Sequence, residues 1–171
     1  DRVVIASHRS QTLTMATKAE QDVRRLARLK ANCICPNCGT EKKFGFSAIC
    51  IKFKTFVCNE CKTSHQAISH RVKSLTMSSW TDAEVNSLKD HNGGGNDAAR
   101  RTWLANAPAV GTGGRPASGM PVSVYKQFVI NCYEHRRYYG EADAAAGPPA
   151  PAPAPAPVRS APKKAAPPAA A

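Results

Sequence analysis

Nowhere in these 171 residues do 18 apolar residues run together, so no segment of this sequence can form a membrane-spanning helix. Asp1 to Thr14 lacks the apolar stretch of a secretory signal. Acidic residues are scarce: 12 Asp and Glu stand against 24 Lys and Arg. The resulting charge of +12 and pI of about 9.7 point to an acidic partner, whether nucleic acid, anionic lipid or an acidic protein face. No internal repeat is visible. A disulfide framework is missing too, because the seven cysteines are odd in number and four of them fall into two Cys-x-x-Cys pairs. That pattern fits metal thiolates in a reducing compartment.

What is present is unevenly distributed. Residues 141–171 hold nine of the thirteen prolines and fourteen alanines, with Val158 as their one larger apolar side chain. Such a segment buries too little surface to offset the entropy of ordering, and its Pro-Ala alternation favours an extended spacer. It reads as a disordered tail, with a PxxP ligand or a basic contact through Arg159, Lys163 and Lys164 as the alternative uses. The tail carries three of the basic and two of the acidic residues, so the surplus of eleven positive charges lies in residues 1–140. Met15-Ala16 reads like a translation start, and residues 1–16 are expected to be an unstructured extension. One domain over residues 17–140 remains.

Within it, Thr17-x-x-Glu20 is a capping box that opens a helix expected to run through Ala31, with Val23, Leu26 and Ala27 on one face. Residues 49–57 alternate, Ile49, Ile51, Phe53, Thr55 and Val57 against Lys52 and Lys54, which predicts one half-buried strand. Thr81-x-x-Glu84 is a second capping box, with Trp80 and Val85 placed as a hydrophobic staple and a helix end near Asp90. Asn96 to Ala105 predicts a third helix and Gly111 to Pro121 a loop. Val122 to Tyr139 predicts a fourth helix with Gly140 just past its end.

The strongest chemistry lies in Cys35-Pro-Asn-Cys38 and Cys58-Asn-Glu-Cys61, separated by 19 residues. Two such knuckles at this range suit one tetrahedral Zn2+ held by Cys35, Cys38, Cys58 and Cys61. Four sulfurs close the coordination shell and leave no position for water, so the zinc is structural. Cys33 lies too near Cys35 for a normal knuckle, and Cys50 and Cys132 read as small buried apolar residues. His65 is placed beside the zinc and not on it. On these residues alone, a GATA-type DNA-binding finger, a ribosomal zinc ribbon and a protein-binding module all remain open.

The neighbouring residues carry a resemblance. Asn32-x-x-Cys35-x-Asn37-Cys38-Gly39 is similar to the N-x-x-C-x-D-C-G opening of the Arf GTPase-activating protein (ArfGAP) zinc-finger domain. Phe56 to His65 resembles the second knuckle of that family, Val72-Lys-Ser-Leu-Thr-Met-Ser-Ser-Trp80 its V-R-S-L-x-L-D-x-W, and Gly95-Asn96 to Trp103 its G-N-x-x-x-N-x-x-W/Y. Tyr125 to Tyr138 is similar to its closing helix, so the likeness spans residues 18–139. It implies an α+β fold: a four-cysteine zinc finger and a small three-stranded sheet packed among helices. It also implies an Arf-type small GTPase as partner, GTPase activation with no chemistry of the domain's own, and a cytoplasmic role in vesicle trafficking at Golgi or endosomal membranes.

The departures from the family pattern are specific. Nineteen residues separate the knuckles where the family has sixteen, and three are missing again between His65 and Val72. The family arginine five residues past the last cysteine, which enters the GTPase site, is Gln66 here. Glutamine carries no charge for the transition state, and Arg71, five residues on, is the candidate substitute. Arg100 stands where the family has asparagine. Contacts with the GTPase are expected from Ile68, Lys73 and Trp80, and the basic surface suits anionic lipid as well. The alternatives are a nucleic-acid-binding zinc finger and a structural assembly subunit. Truncation after Gly140 should leave the domain's stability within about 0.5 kcal/mol, as a surface change does; a melting temperature lowered by several degrees would mean that the tail packs on the domain.

Overall fold

The computed structural model describes residues 16–140. The extension up to Met15 and the tail from Glu141, with the expectations attached to them, lie outside the described residues. Helix α1 (Lys18–Ala27) opens on Thr17, whose hydroxyl accepts from the Glu20 amide while Glu20 accepts from the Thr17 amide. It buries Ala19, Val23 and Ala27. The helix stops four residues before the expected Ala31. Leu29 turns extended, a 3-10 turn over Lys30–Cys33 follows, and Asn32 Nδ2 donates at 2.8 Å to the Leu26 carbonyl, which also accepts from the Leu29 amide. Gly45 presses on the helix end: a Cβ there would sit 2.1 Å from the Ala27 carbonyl oxygen, and φ is +78°, so only glycine fits.

The expected single strand over residues 49–57 is instead a hairpin. Strands β1 (Ala48–Cys50) and β2 (Thr55–Val57) pair antiparallel, with Ile49 opposite Phe56. The chain reverses over residues 51–54, where Lys54 takes φ +56°. The alternation misled because β1 is covered on both faces. Ile49 lies in one cluster with Val23, Trp80, Val85 and Leu88, and Cys50 in a second with Phe53, Phe128, Cys132 and Tyr133. Strand β3 (Val72–Ser74) pairs with the other edge of β1, giving the order β2-β1-β3 and the three-stranded sheet expected of the family.

Between β2 and β3 lies α2 (Asn59–Gln66), a short polar helix absent from the periodicity-based reading. Helix α3 (Asp82–Ser87) begins at the predicted Thr81–Glu84 box, and Trp80 and Val85 share one buried cluster as a staple should. Helix α4 (Gly95–Thr102) is three residues shorter at its end than expected. Helix α5 (Val122–Val129) widens into a π-turn over Ile130–Glu134 and ends there, five residues before the expected Tyr139. Arg136 adopts φ +51°, and Tyr138 folds back to stack on Phe128 at 5.5 Å. Gly140 is therefore not a helix cap; its amide donates to the Thr102 carbonyl.

One buried side chain ties these pieces together. Asn96 is fully enclosed: its amide N–H donates to Asn32 Oδ1, its Oδ1 accepts from the Phe56 amide, and its Nδ2 donates to the Ile34 and Phe56 carbonyls, all at 2.8–2.9 Å. Asn96→Ala should cost about 3 kcal/mol in a denaturant titration, because it strands buried donors and acceptors on β2 and before the first knuckle. A loss under about 1 kcal/mol would mean that water replaces the side chain.

Candidate metal centre and the surface beside it

The first knuckle is shaped by its own backbone. The Cys35 amide donates to the Thr40 carbonyl, the Gly39 amide donates to the Cys35 carbonyl, and Gly39 takes φ +71° so that the chain can turn under the ligands. The second knuckle joins the end of β2 to α2, with Cys58 just before the helix and Cys61 in its first turn. All four cysteines are buried, and their sulfurs all lie within 4.8 Å of one another; Cys38 and Cys58 approach to 3.5 Å. A tetrahedron of Zn–S bonds near 2.3 Å has edges of about 3.8 Å. The donor set therefore fits one structural Zn2+.

The thiol electrostatics point the same way. Hydrogen bonds from Cys35, Cys58 and Cys61 hold the Cys38 thiol far below its ordinary value, whereas Cys58 and Cys61 are pushed up, first by their hydrogen bonds with Cys35. Four thiols in one buried volume cannot ionise together unless a cation joins them.

Two supports of the first knuckle were not legible as such in the sequence. Arg115, from the segment read as plain loop, donates from Nε to the Asn37 carbonyl, from Nη2 to the Pro36 carbonyl and from Nη1 to the Pro108 carbonyl, at 2.7–2.9 Å. The signal was a lone arginine in a Gly/Pro stretch, which composition cannot distinguish from a solvated one. The second is a polar chain. Glu134 can only accept, so His70 Nε2 donates to it at 2.6 Å, which leaves His70 Nδ1 to accept from His65 Nδ1 at 2.8 Å. His65 Nε2 then accepts from Asn37 Nδ2 at 3.3 Å, and Asn37 Oδ1 accepts from the Tyr133 hydroxyl at 2.7 Å. Burial, then the neighbouring His70, hold His65 down to about 3, and it is neutral. Lys52 and His70 hold the Glu134 carboxyl down to about 2.

The residues singled out for a partner cluster around the turn that links α2 to β3. Gln66 closes α2 and is exposed; Arg71 immediately precedes β3 and is exposed. The turn between them is tight, with the His70 amide donating to the His65 carbonyl and Ser69 at φ +62°. Ile68 is half-buried against the cluster of Phe53 and Tyr133. Lys73 donates to both carboxylate oxygens of Glu84 at 2.7 Å and lies 4.6 Å above the ring of Trp80, which is itself buried. Arg100, in place of the family asparagine, donates to Asp97 and to the Ala31 and Ile34 carbonyls. The outward face of α2 offers Asn59, Glu60, Thr63 and Gln66, with Lys62 half-exposed, so nothing there supports the nucleic-acid alternative.

Residues 20–142 match the family model ArfGap, described as "Putative GTPase activating protein for Arf". The chain belongs to the ArfGap family. It is 33% identical over 135 residues to "Probable ADP-ribosylation factor GTPase-activating protein AGD14" of Arabidopsis thaliana, covering 76% of this chain and 20% of that protein. It is 34% identical over 106 residues to "Arf-GAP domain and FG repeat-containing protein 2" of Homo sapiens, covering 61% and 21%. The chain thus spans about one fifth of the length of these curated relatives. Among solved structures it is similar to the "ArfGap domain of HIV-1 Rev binding protein", with a TM-score of 0.59 at 26% identity over 74% of this chain and 90% of that one. The ArfGap domain of human RIP shares the fold at a TM-score of 0.62 and 24% identity, over 80% and 98%.

For this ArfGap domain, zinc binding is also folding free energy. Metal analysis should return one zinc at Cys35, Cys38, Cys58 and Cys61, and Cys61→Ser should abolish the cooperative melting transition. Arg115→Ala should weaken zinc retention against a chelator by about 10-fold, the usual effect of losing a group that holds metal ligands in place. An unchanged melting curve for Cys61→Ser would overturn the assignment.

Proposed function

We propose that this domain binds an Arf-type small GTPase and stimulates its hydrolysis weakly. Membership of the ArfGap family supports the partner; the single observation that carries the weak stimulation is Gln66 at the end of α2, where the family pattern has its arginine. An arginine finger stabilises charge that develops on the transferred phosphoryl and contributes about 10³–10⁵ in rate. Gln66 can donate hydrogen bonds but brings no charge. Loss of a transition-state interaction leaves ground-state contacts in place, so binding and stimulation separate. In this reading Ile68, Lys73 and Trp80 border the contact, with Trp80 acting from beneath by holding Lys73 in position.

The work would be done in the cytoplasm, at the surface of Golgi or endosomal membranes. Arg28, Lys30, Lys42 and Lys43 support this, being exposed and in no ion pair among the described residues, as does Phe44 beside them, 73% exposed.

Single-turnover GTP hydrolysis on a panel of Arf-type GTPases tests the proposal. Wild type should bind with ordinary affinity and stimulate about 10³-fold less than a finger-bearing relative. Gln66→Arg should recover part of the rate, Arg71→Ala should change little, and anionic vesicles should raise the rate above that on neutral ones. A fully active wild type that Arg71→Ala silences would make Arg71 the finger. Absence of binding to every GTPase would refute the reading.

A further inference from the structure

Beside the four zinc-binding cysteines, three more metal-ligating side chains converge. Cys50 on β1, His65 on α2 and His70 before β3 are 0%, 0% and 4% exposed, and one donor atom of each lies within 4.8 Å of the other two. Both histidines turn Nδ1 inward, 2.8 Å apart, and the Cys50 sulfur lies 3.7 Å from His65 Nδ1. We propose that Cys50, His65 and His70 form a second, three-coordinate site for a soft d10 cation, Cu(I) in preference to Zn2+.

The distances are close to what such an ion requires. Bonds near 2.0 Å to nitrogen and 2.3 Å to sulfur in a trigonal plane put nitrogens about 3.5 Å apart, and nitrogen about 3.7 Å from sulfur. The Cys50–His65 spacing already matches, the Cys50 sulfur lies within 4.8 Å of a His70 ring nitrogen, and the two Nδ1 atoms must part by about 0.7 Å. The outer nitrogens are also held as they are on metal-bound histidines, which pass their second N–H to a carboxylate or amide. His70 Nε2 reaches Glu134, and His65 Nε2 faces the side-chain amide of Asn37.

The protons balance. Without the ion, His65 Nδ1–H donates to His70 Nδ1, and each side chain in the run from Glu134 through His70, His65 and Asn37 to Tyr133 has its partner. When the ion binds, the Cys50 thiol releases its proton to solvent. The His65 proton moves from Nδ1 to Nε2, where the Asn37 amide, turned over, presents its oxygen. The Tyr133 hydroxyl then accepts from Asn37 Nδ2, and its own hydrogen gives up the Asn37 acceptor, a cost that the metal bonds must offset.

Charge and coordination number select the ion. One thiolate, two neutral imidazoles and Cu(I) make a neutral group, which a buried site tolerates, and thiolate with imidazole is a ligand set that suits Cu(I). Zn2+ would leave a net positive charge and call for a fourth donor. Phe53 and Tyr133 wall the cluster, the backbone amides of Lys52 and Phe53 donate toward the Cys50 sulfur, and Glu134 and Asn37 are already engaged with the outer nitrogens.

The test uses the full chain carrying its zinc, titrated anaerobically with Cu(I) against a competing Cu(I) chelator while zinc release is followed with an indicator dye. One copper per chain should be retained without loss of zinc, and its X-ray absorption should show two nitrogen neighbours and one sulfur. Cys50→Ser and His70→Ala should each weaken copper binding at least 100-fold with zinc content unchanged, and Glu134→Gln by about 10-fold. Cys50→Ser preserves size at the buried position and guards against a folding defect. Copper gained only as zinc is released, copper surrounded by sulfur alone, copper retained by Cys50→Ser, or tighter binding of Zn2+ at these residues would each overturn the proposal.

Discussion

Four thiols enclosed in one volume impose the constraint on which the rest of this domain depends. A cation is what lets them stand together as thiolates, and the ligands come from the loop after α1, the end of β2 and the start of α2. The strands are three residues each, too short to hold a sheet by ladder hydrogen bonds alone. Zinc ties both ends of the segment containing the β1–β2 hairpin to one point. The hairpin in turn presents Ile49 to one hydrophobic cluster and Cys50 to the other. Folding of the sheet and filling of the metal site are therefore one event.

Polar groups carry the constraint outward. Arg115 fastens the Pro36 and Asn37 carbonyls of the first knuckle to the 108–121 segment, and Asn96 joins that knuckle's approach to β2 and α4. The Asn37 side chain lies between Tyr133 and His65, so the first knuckle, α2 and the π-turn after α5 share one hydrogen-bonded chain. The π-turn belongs to the same arrangement. Its wider winding accompanies the inward placement of Cys132 and Tyr133 while Glu134 reaches His70.

The surface proposed to meet a GTPase rests on this framework. The turn from α2 to β3 is anchored by His65 and His70, both buried, and carries Gln66 and Arg71 on its two exposed ends. Its rigidity bears on which side chain can approach a bound nucleotide. A short turn closed by its own backbone hydrogen bonds cannot slide five residues without breaking the sheet pairing of Val72 with Cys50. In the proposed reading, a small local shift would not bring Arg71 to the place of Gln66.

Features that depend on a few neighbouring residues were determined by the sequence itself: the two cysteine knuckles, both capping boxes, the Trp80–Val85 staple and the family likeness over residues 18–139. Caps and knuckles are local chemistry, with partners three residues apart. Tertiary structure decided the rest. The chain reverses over residues 51–54, with Lys54 at φ +56°, so an apparent strand over residues 49–57 is a hairpin, and β1 is buried on both faces where alternation reports one. Packing against Gly45 and capture of the Leu26 carbonyl by Asn32 ended α1 early, and docking of Tyr138 on Phe128 ended α5 early. Arg115 found its knuckle 78 residues away, and His70 met Glu134 across 64. Composition and periodicity carry no trace of such meetings, because the chain must fold before those atoms share a neighbourhood.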